Sequence, residues 1–137
     1  MKKAILLLRI SYWWGIIADA LSAILMLFPN LFLRFMNINL APEPGFGYGL
    51  RYNVTLMVGW TILLFWADRK PMERKDILLL TLPVVAGYGI FEIYSLLAGF
   101  TVLVQQMPLL IMQVALSAMF LFSYLYARRL EIEQQRQ

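Results

Sequence analysis

Long runs of apolar residues, separated by short polar segments, dominate the chain. Four runs reach the length of about 20 residues that an α-helix needs to cross the hydrocarbon core of a membrane. They cover residues 4–28, 47–67, 77–99 and 102–126. The alternating pattern of a membrane β-strand is absent from them. The sequence therefore predicts an all-α fold, a single domain over residues 1–137 built as a bundle of four membrane-spanning helices.

The segments that connect these runs differ in character. After the first run, LFLRFM is too short to span a membrane but apolar enough to lie at its surface. The following APEPGFGYG, residues 41–49, predicts an irregular, turn-rich backbone because of its prolines and glycines. The short AGFT at residues 98–101 predicts an antiparallel hairpin of the third and fourth helices. Residues 127–137 form a polar tail that we expect to extend the last helix.

Lysine and arginine are concentrated in three segments that an even number of spans places on one side of the membrane. These residues are Lys2, Lys3, Arg69, Lys70, Arg74, Lys75, Arg128, Arg129 and Arg136. Because basic segments favour the cytoplasmic side, we predict that both termini are cytoplasmic in a multi-pass protein of a cell (inner) membrane. The net charge of +4 comes from helix ends and forms no continuous patch, which indicates the lipid bilayer as partner and excludes nucleic acid.

Composition narrows the chemistry that the protein can perform. The chain is 61% hydrophobic and contains neither cysteine nor histidine. These absences exclude disulfides, thiolate nucleophiles and the commonest metal and haem ligands, so we predict no metal and no cofactor. An enzyme is the least favoured class, because acid–base chemistry would fall to membrane carboxylates alone.

Four ionisable residues lie within the predicted spans: Arg9, Asp19, Arg51 and Glu92. Arg9 is close enough to the basic side for its long side chain to reach the membrane surface. The other three lie in the opposite half, at depths of roughly 14 Å for Asp19, 10 Å for Glu92 and 6 Å for Arg51. We expect an acid–base pair between Asp19 and Arg51, within one chain or across a dimer, which leaves one carboxylate for another partner.

Other polar side chains extend these positions along the helix faces. Tyr12 shares a face with Asp19, and Tyr88 shares one with Glu92, whereas Asn53 lies on a different face from Arg51. The candidate ligand-binding residues are therefore Tyr12, Asp19, Arg51, Asn53, Tyr88, Glu92 and Gln113. Lipid cannot satisfy such groups, so they should face each other or a partner.

Three functional hypotheses fit this pattern. The first is an outward-facing polar pocket that binds or handles a small molecule or lipid-like ligand, with one carboxylate able to couple to a proton. The alternative is a non-catalytic accessory or assembly subunit whose polar faces contact another membrane protein or a second copy. In the third, the polar residues only hold the helices together.

A shared spacing suggests that one two-helix hairpin was duplicated. Ile17-x-Asp19-x-x-Ser22 matches Ile90-x-Glu92-x-x-Ser95. A true repeat would make Asp19 and Glu92 equivalent around an axis along the membrane normal. The similar aromatic and basic residues at the helix ends are also expected from topology alone, so coincidence is the alternative explanation.

Overall fold

The computed structural model describes residues 2–35, 44–99 and 101–135, and these fold into helices with no strand among them. In chain order the helices are α1 (Lys2–Leu27), α2 (Pro29–Phe35), α3 (Pro44–Asp68), α4 (Asp76–Leu97) and α5 (Leu103–Gln135). All but α2 are long and apolar enough to cross a membrane. The predicted all-α membrane bundle is confirmed, and each long helix overlaps one predicted span.

The start of α3 departs from the prediction. Residues 41–43 lie outside the described part of the chain, but α3 begins at Pro44, so residues 44–46, which precede the predicted span, are helical where an irregular backbone was expected. Pro44 suits the first turn of a helix, where its missing N–H would have no partner. In an apolar setting a helix satisfies its own backbone groups, which outweighs the deficit of about 1 kcal/mol that each glycine brings.

The LFLRF segment forms most of the short helix α2, and its place at the membrane surface stays a prediction. The α4–α5 hairpin is present, and its turn contains Gly99 at a φ of 75°, a backbone conformation that side-chain-bearing residues rarely adopt. The polar tail extends α5 as far as Gln135, and residues 136 and 137 lie outside the described part.

The long helices do not pack equivalently. Helix α1 packs against both α3 and α5, and α5 packs against α4. The backbones of α3 and α4 approach each other less closely, and the Trp60 indole Nε1 of α3 donates a hydrogen bond to Thr81 Oγ1 of α4 at 3.3 Å. We call the end that holds residues 2–9, 68–76 and 127–135 the basic end, and the other the opposite end.

One core, shared by all four long helices, lies in the half of the bundle near the basic end. Its buried residues are Ala4, Leu8, Tyr12, Ile16, Leu64, Ala67, Leu78, Leu116, Phe120 and Ala127. Gly15 lets α1 approach α3 and α5 closely. A Cβ atom on Gly15 would lie 2.9 Å from Leu64 Cδ1 and 3.2 Å from Phe120 Cζ.

Polar contacts reinforce this half. The Ser11 and Ser123 hydroxyls share a hydrogen bond at 2.8 Å, and the Tyr12 hydroxyl donates one to the Arg74 carbonyl at 2.9 Å. Two salt bridges lie at the same end: Lys75–Glu131 at 2.8 Å and Arg9–Asp68 at 3.8 Å. The Arg74 guanidinium also covers the Trp66 ring, 3.3 Å from its centre. Together these contacts fix the helices at the basic end.

The opposite half is organised differently. Its buried apolar cluster consists of Ala23, Met26, Leu50 and Met57, and therefore involves α1 and α3, with Phe32 of α2 packed against it. Across residues 2–35, 44–99 and 101–135, no buried apolar cluster joins all four long helices in this half. The α4–α5 hairpin and the α1–α2–α3 unit thus converge at the basic end and share less packing beyond it.

Candidate functional site

Two helices of the hairpin are joined by a polar contact between Glu92 and Gln113. The Gln113 Nε2 atom donates a hydrogen bond to Glu92 Oε1 at 3.0 Å. The second carboxyl oxygen, Glu92 Oε2, and the amide oxygen, Gln113 Oε1, are both buried and have no hydrogen-bond partner among the described residues. The contact therefore satisfies only half of the polar atoms that it brings together.

Gly89 makes room for this contact, and the sequence analysis did not single it out. A Cβ atom on Gly89 would lie 3.1 Å from Gln113 Oε1. Gly89 precedes Glu92 by three residues, so both lie on the face of α4 that meets α5. This i, i+3 spacing is the signal by which the sequence could have revealed it.

The helix register brings Asp19 close to the level of Glu92. Ser11 of α1 lies beside Ser123 of α5, and Gly15 of α1 lies beside Phe120 of α5. The two helices are therefore antiparallel: residue numbers rise along α1 as they fall along α5. Continuing this register places Asp19 about three residues, or roughly 4.5 Å, from the level of Gln113. Asp19, Glu92 and Gln113 therefore occupy neighbouring levels of the opposite half.

Asp19 continues the buried stripe of α1 but is itself partly exposed. Gly15, Ile16 and Ala23, one turn to either side, are buried. The Asp19 carboxylate forms no hydrogen bond and no salt bridge with any described residue. A carboxylate on the inward face of a spanning helix, without a protein partner, is available to an external one.

Tyr88 completes the group. Its hydroxyl lies within electrostatic range of the Asp19 carboxylate. Tyr88 also lies one helical turn from Glu92 on the same face of α4. We call Asp19, Tyr88, Glu92 and Gln113 the polar cluster.

Arg51 does not belong to the polar cluster, contrary to the expected Asp19–Arg51 pair. No salt bridge joins it to Asp19 or Glu92, and all three side chains are described. Arg51 precedes Trp60 by nine residues, which corresponds to two and a half helical turns, so it lies on the opposite face of α3. Because Trp60 bonds to α4, Arg51 faces away from α4, and its side chain is exposed.

Asn53 lies on the same face of α3 as Trp60. It precedes Trp60 by seven residues, close to two full turns, and therefore shares the face that is turned to α4. Asn53 is exposed, because α3 and α4 do not pack closely at this level. The Trp60–Thr81 contact and the antiparallel course of the two helices place Asn53 near the level of Tyr88.

Tyr12 lies in the shared core and is separated from the polar cluster. Its side chain is fully buried, and its hydroxyl bonds to the carbonyl of Arg74 in the α3–α4 turn. It is two turns from Asp19 towards the basic end. A ligand beside Asp19 would therefore not touch the Tyr12 hydroxyl.

The polar cluster contains two carboxyl groups and no basic residue, so any charge it carries is negative. Neither Asp19 nor Glu92 forms a salt bridge with a lysine or arginine of the described residues. The cluster combines one carboxylate without a partner among these residues, one amide-paired carboxyl group, a phenol and unsatisfied oxygen atoms. Groups of this kind accept hydrogen bonds and pair with cations.

Comparison with known proteins gives no match, whether to protein-family models, to curated proteins or to solved structures. The function is therefore argued from the polar cluster and the fold that positions it.

Proposed function

We propose that this membrane protein binds or transports a small molecule at the polar cluster, and that the ligand is an organic cation with N–H donors. The observation that carries the proposal is the Asp19 carboxylate, which lies on the inward stripe of α1 without a partner among residues 2–35, 44–99 and 101–135. An ionised carboxylate at this depth is costly unless a counter-charge accompanies it.

The distribution of the cations supports a positively charged ligand. Arg51 faces away from the polar cluster, and Lys75 and Arg9 already pair with Glu131 and Asp68 at the basic end. An anion at the polar cluster would meet Asp19 without a compensating cation. A cation with an apolar body would pair with Asp19 and contact the Tyr88 ring, with which cations interact favourably.

The side from which the ligand enters follows from the basic segments. Because basic loops favour the cytoplasm, we infer that the basic end is cytoplasmic and the opposite end faces outward. The polar cluster lies in the outer half of this arrangement. The ligand would therefore enter from outside the cell, between α1 and the α4–α5 hairpin.

A second candidate function, an accessory subunit, has one observation in its favour. Arg51 and its neighbour Tyr52 are exposed on the face of α3 that is turned away from Trp60. A second membrane protein, or a second copy of this chain, with a carboxylate at the same depth would pair with Arg51. Exchange of Arg51 for methionine would abolish that complex but leave ligand binding at Asp19 intact.

Native mass spectrometry from mild detergent tests the ligand proposal. We expect the wild type to retain a small basic molecule, or to bind added hexylammonium, and the Asp19→Asn variant to do neither. Asp76→Asn is the matched control, since the same chemical change is made at an exposed residue at the start of α4. Equal binding by the wild type and Asp19→Asn would contradict the proposal.

The orientation has a separate test. The chain contains no cysteine, so single-cysteine variants can be labelled without a background reaction. In intact cells, a membrane-impermeant thiol reagent should label Val102→Cys at the hairpin turn and should not label Lys70→Cys. The reverse pattern would place the polar cluster in the cytoplasmic half.

A further inference from the structure

We propose that Glu92 carries a proton in the folded protein and forms a two-point carboxylic acid–amide pair with Gln113, which makes this pair a proton-binding site inside the membrane. The role of the proton in ligand exchange rests on the proposed function, whereas the protonation itself does not. Neither the fold nor the ligand proposal requires Glu92 to be neutral.

The unsatisfied atoms of the Glu92–Gln113 contact carry this inference. One hydrogen bond already runs from Gln113 Nε2 to Glu92 Oε1. The two atoms left without a partner are the other oxygen of the same carboxyl group and the oxygen of the same amide. If Glu92 were ionised, both would be acceptors, and neither could bond to the other.

A single proton would give both of these oxygen atoms a hydrogen-bond partner. When Glu92 Oε2 carries a hydrogen atom, it becomes a donor and can bond to Gln113 Oε1. The acid and the amide then each donate once and accept once. Buried polar atoms without partners are rare in folded proteins, and this arrangement removes two of them together.

The surrounding elements also favour the neutral acid. Asp19 on α1 lies at a neighbouring level of the bundle, so ionisation of both groups would place two negative charges in the same apolar half. Tyr88 on the same face of α4 and Asn53 on α3 are neutral, as is Gln106, the next buried polar residue on the Gln113 stripe of α5. Glu92 forms no salt bridge with a lysine or arginine of the described residues.

The two carboxyl groups differ in their surroundings. Both residues are partly exposed, but Glu92 Oε2 and Gln113 Oε1 are buried at the α4–α5 contact, whereas Asp19 has no hydrogen-bond partner among the described residues. A proton on Glu92 therefore has an acceptor in the Gln113 amide, while a proton on Asp19 would have none among these residues. We expect Glu92 to hold the proton and Asp19 the negative charge.

This arrangement predicts competition between a proton and a cationic ligand. Ionisation of Glu92 adds a negative charge at a neighbouring level of the bundle and strengthens binding of a cation at Asp19. Conversely, the bound cation favours release of the proton from Glu92, because coupling between two sites is reciprocal. The protein could then exchange one proton for one ligand.

Infrared spectroscopy of the purified protein tests the protonation directly. A protonated carboxylic acid has a C=O stretching band above the amide region, and this band moves to lower frequency in D₂O. We expect the band in the wild type at neutral pH and in Asp19→Asn, but not in Glu92→Gln. The Glu92→Gln variant should keep its fold, because two amides can form the same two-point pair.

A glycine pair on α4 provides a second readout that keeps every carboxyl group in place. Gly89→Ala places a methyl group 3.1 Å from Gln113 Oε1 and should shift the band by weakening the O–H···O bond. Gly87→Ala meets no heavy atom within 4 Å and should leave the band unchanged. Circular dichroism confirms that each variant is folded.

The outcomes separate this inference from the ligand proposal. Absence of the band in the folded wild type, or its persistence in Glu92→Gln, would overturn the protonated pair while leaving ligand binding at Asp19 intact. The band present but no cation bound in the wild type would overturn the ligand proposal and retain the protonated pair. Equal shifts in Gly89→Ala and Gly87→Ala would contradict the assignment to Gln113.

Discussion

Replacing Gly15 by alanine tests the three-helix contact on which the whole arrangement depends. The new methyl group would lie 2.9 Å from Leu64 Cδ1 and 3.2 Å from Phe120 Cζ, closer than carbon atoms normally approach. Leu64 and Phe120 are 0% and 1% exposed, so neither side chain can swing into open space. Relief requires α1 to move away from α3 and α5, and overpacking of this kind costs about 1–3 kcal/mol.

The matched control is Gly59→Ala on α3, where a Cβ atom meets no heavy atom within 4 Å. Both changes bring the same gain in helix propensity, about 1 kcal/mol at most, so the difference between the variants isolates the clash. We expect Gly15→Ala to be about 1–3 kcal/mol less stable than Gly59→Ala. Unfolding by SDS from mild detergent micelles, followed by tryptophan fluorescence, measures this difference.

Equal stability of the two variants would refute the close packing of α1 against α3 and α5 at Gly15. The register that brings Asp19 to the level of Gln113 would then lose its support, since it is extrapolated from this contact. The experiment therefore examines the fold and the placement of the polar cluster together.

Three further measurements examine contacts in the half near the basic end. Tyr12→Phe should lower the free energy of unfolding by about 1 kcal/mol through loss of its hydrogen bond, without changing ligand retention in native mass spectra; reduced retention would restore Tyr12 to the binding site. A double-mutant cycle of Ser11→Ala and Ser123→Ala should give a coupling of about 0.6 kcal/mol, and strict additivity would show that the hydroxyls do not bond. Glu131→Gln should cost about 1 kcal/mol at low salt and less at high salt, because its bridge to Lys75 is partly open to solvent; a salt-independent loss would contradict this.

The sequence predicted those helices and connections that local composition determines. Apolar length predicts the four long helices, and the short AGFT segment predicts the α4–α5 hairpin. The glycines before residue 50 misled the prediction because they were weighed by their behaviour in water. In an apolar environment the need to satisfy backbone groups decides the structure, and Pro44 begins a helix.

The sequence predicted the candidate site only for residues whose position follows from the face of a single helix. Polar stripes on α4 and α5 singled out Glu92 and Gln113 separately, but the contact between them was not predicted. Asp19 and Arg51 do not pair within one chain, because the prediction compared depth alone and the rotation of α3 about its axis was unknown. A pair across a dimer stays a prediction. The rotation of α3 is fixed by the contact of Trp60 on α3 with Thr81 on α4. A contact between two different helices cannot be recognised from the local sequence pattern of either one.

The interfaces of the fold also bear on the apparent duplication of the hairpins. A two-fold axis along the membrane normal would make the α1–α5 and α3–α4 interfaces equivalent. Instead α1 packs closely on α5 through the Ser11–Ser123 bond, whereas α3 and α4 remain farther apart.

The matching spacing around Asp19 and Glu92 therefore does not place the two residues in equivalent surroundings. Asp19 has no hydrogen-bond or ion-pair partner among the described residues, while Glu92 is held by an amide on the adjacent helix. The proposals assign the two acids different roles on the basis of this asymmetry: Asp19 as the anchor for a cation and Glu92 as the holder of a proton.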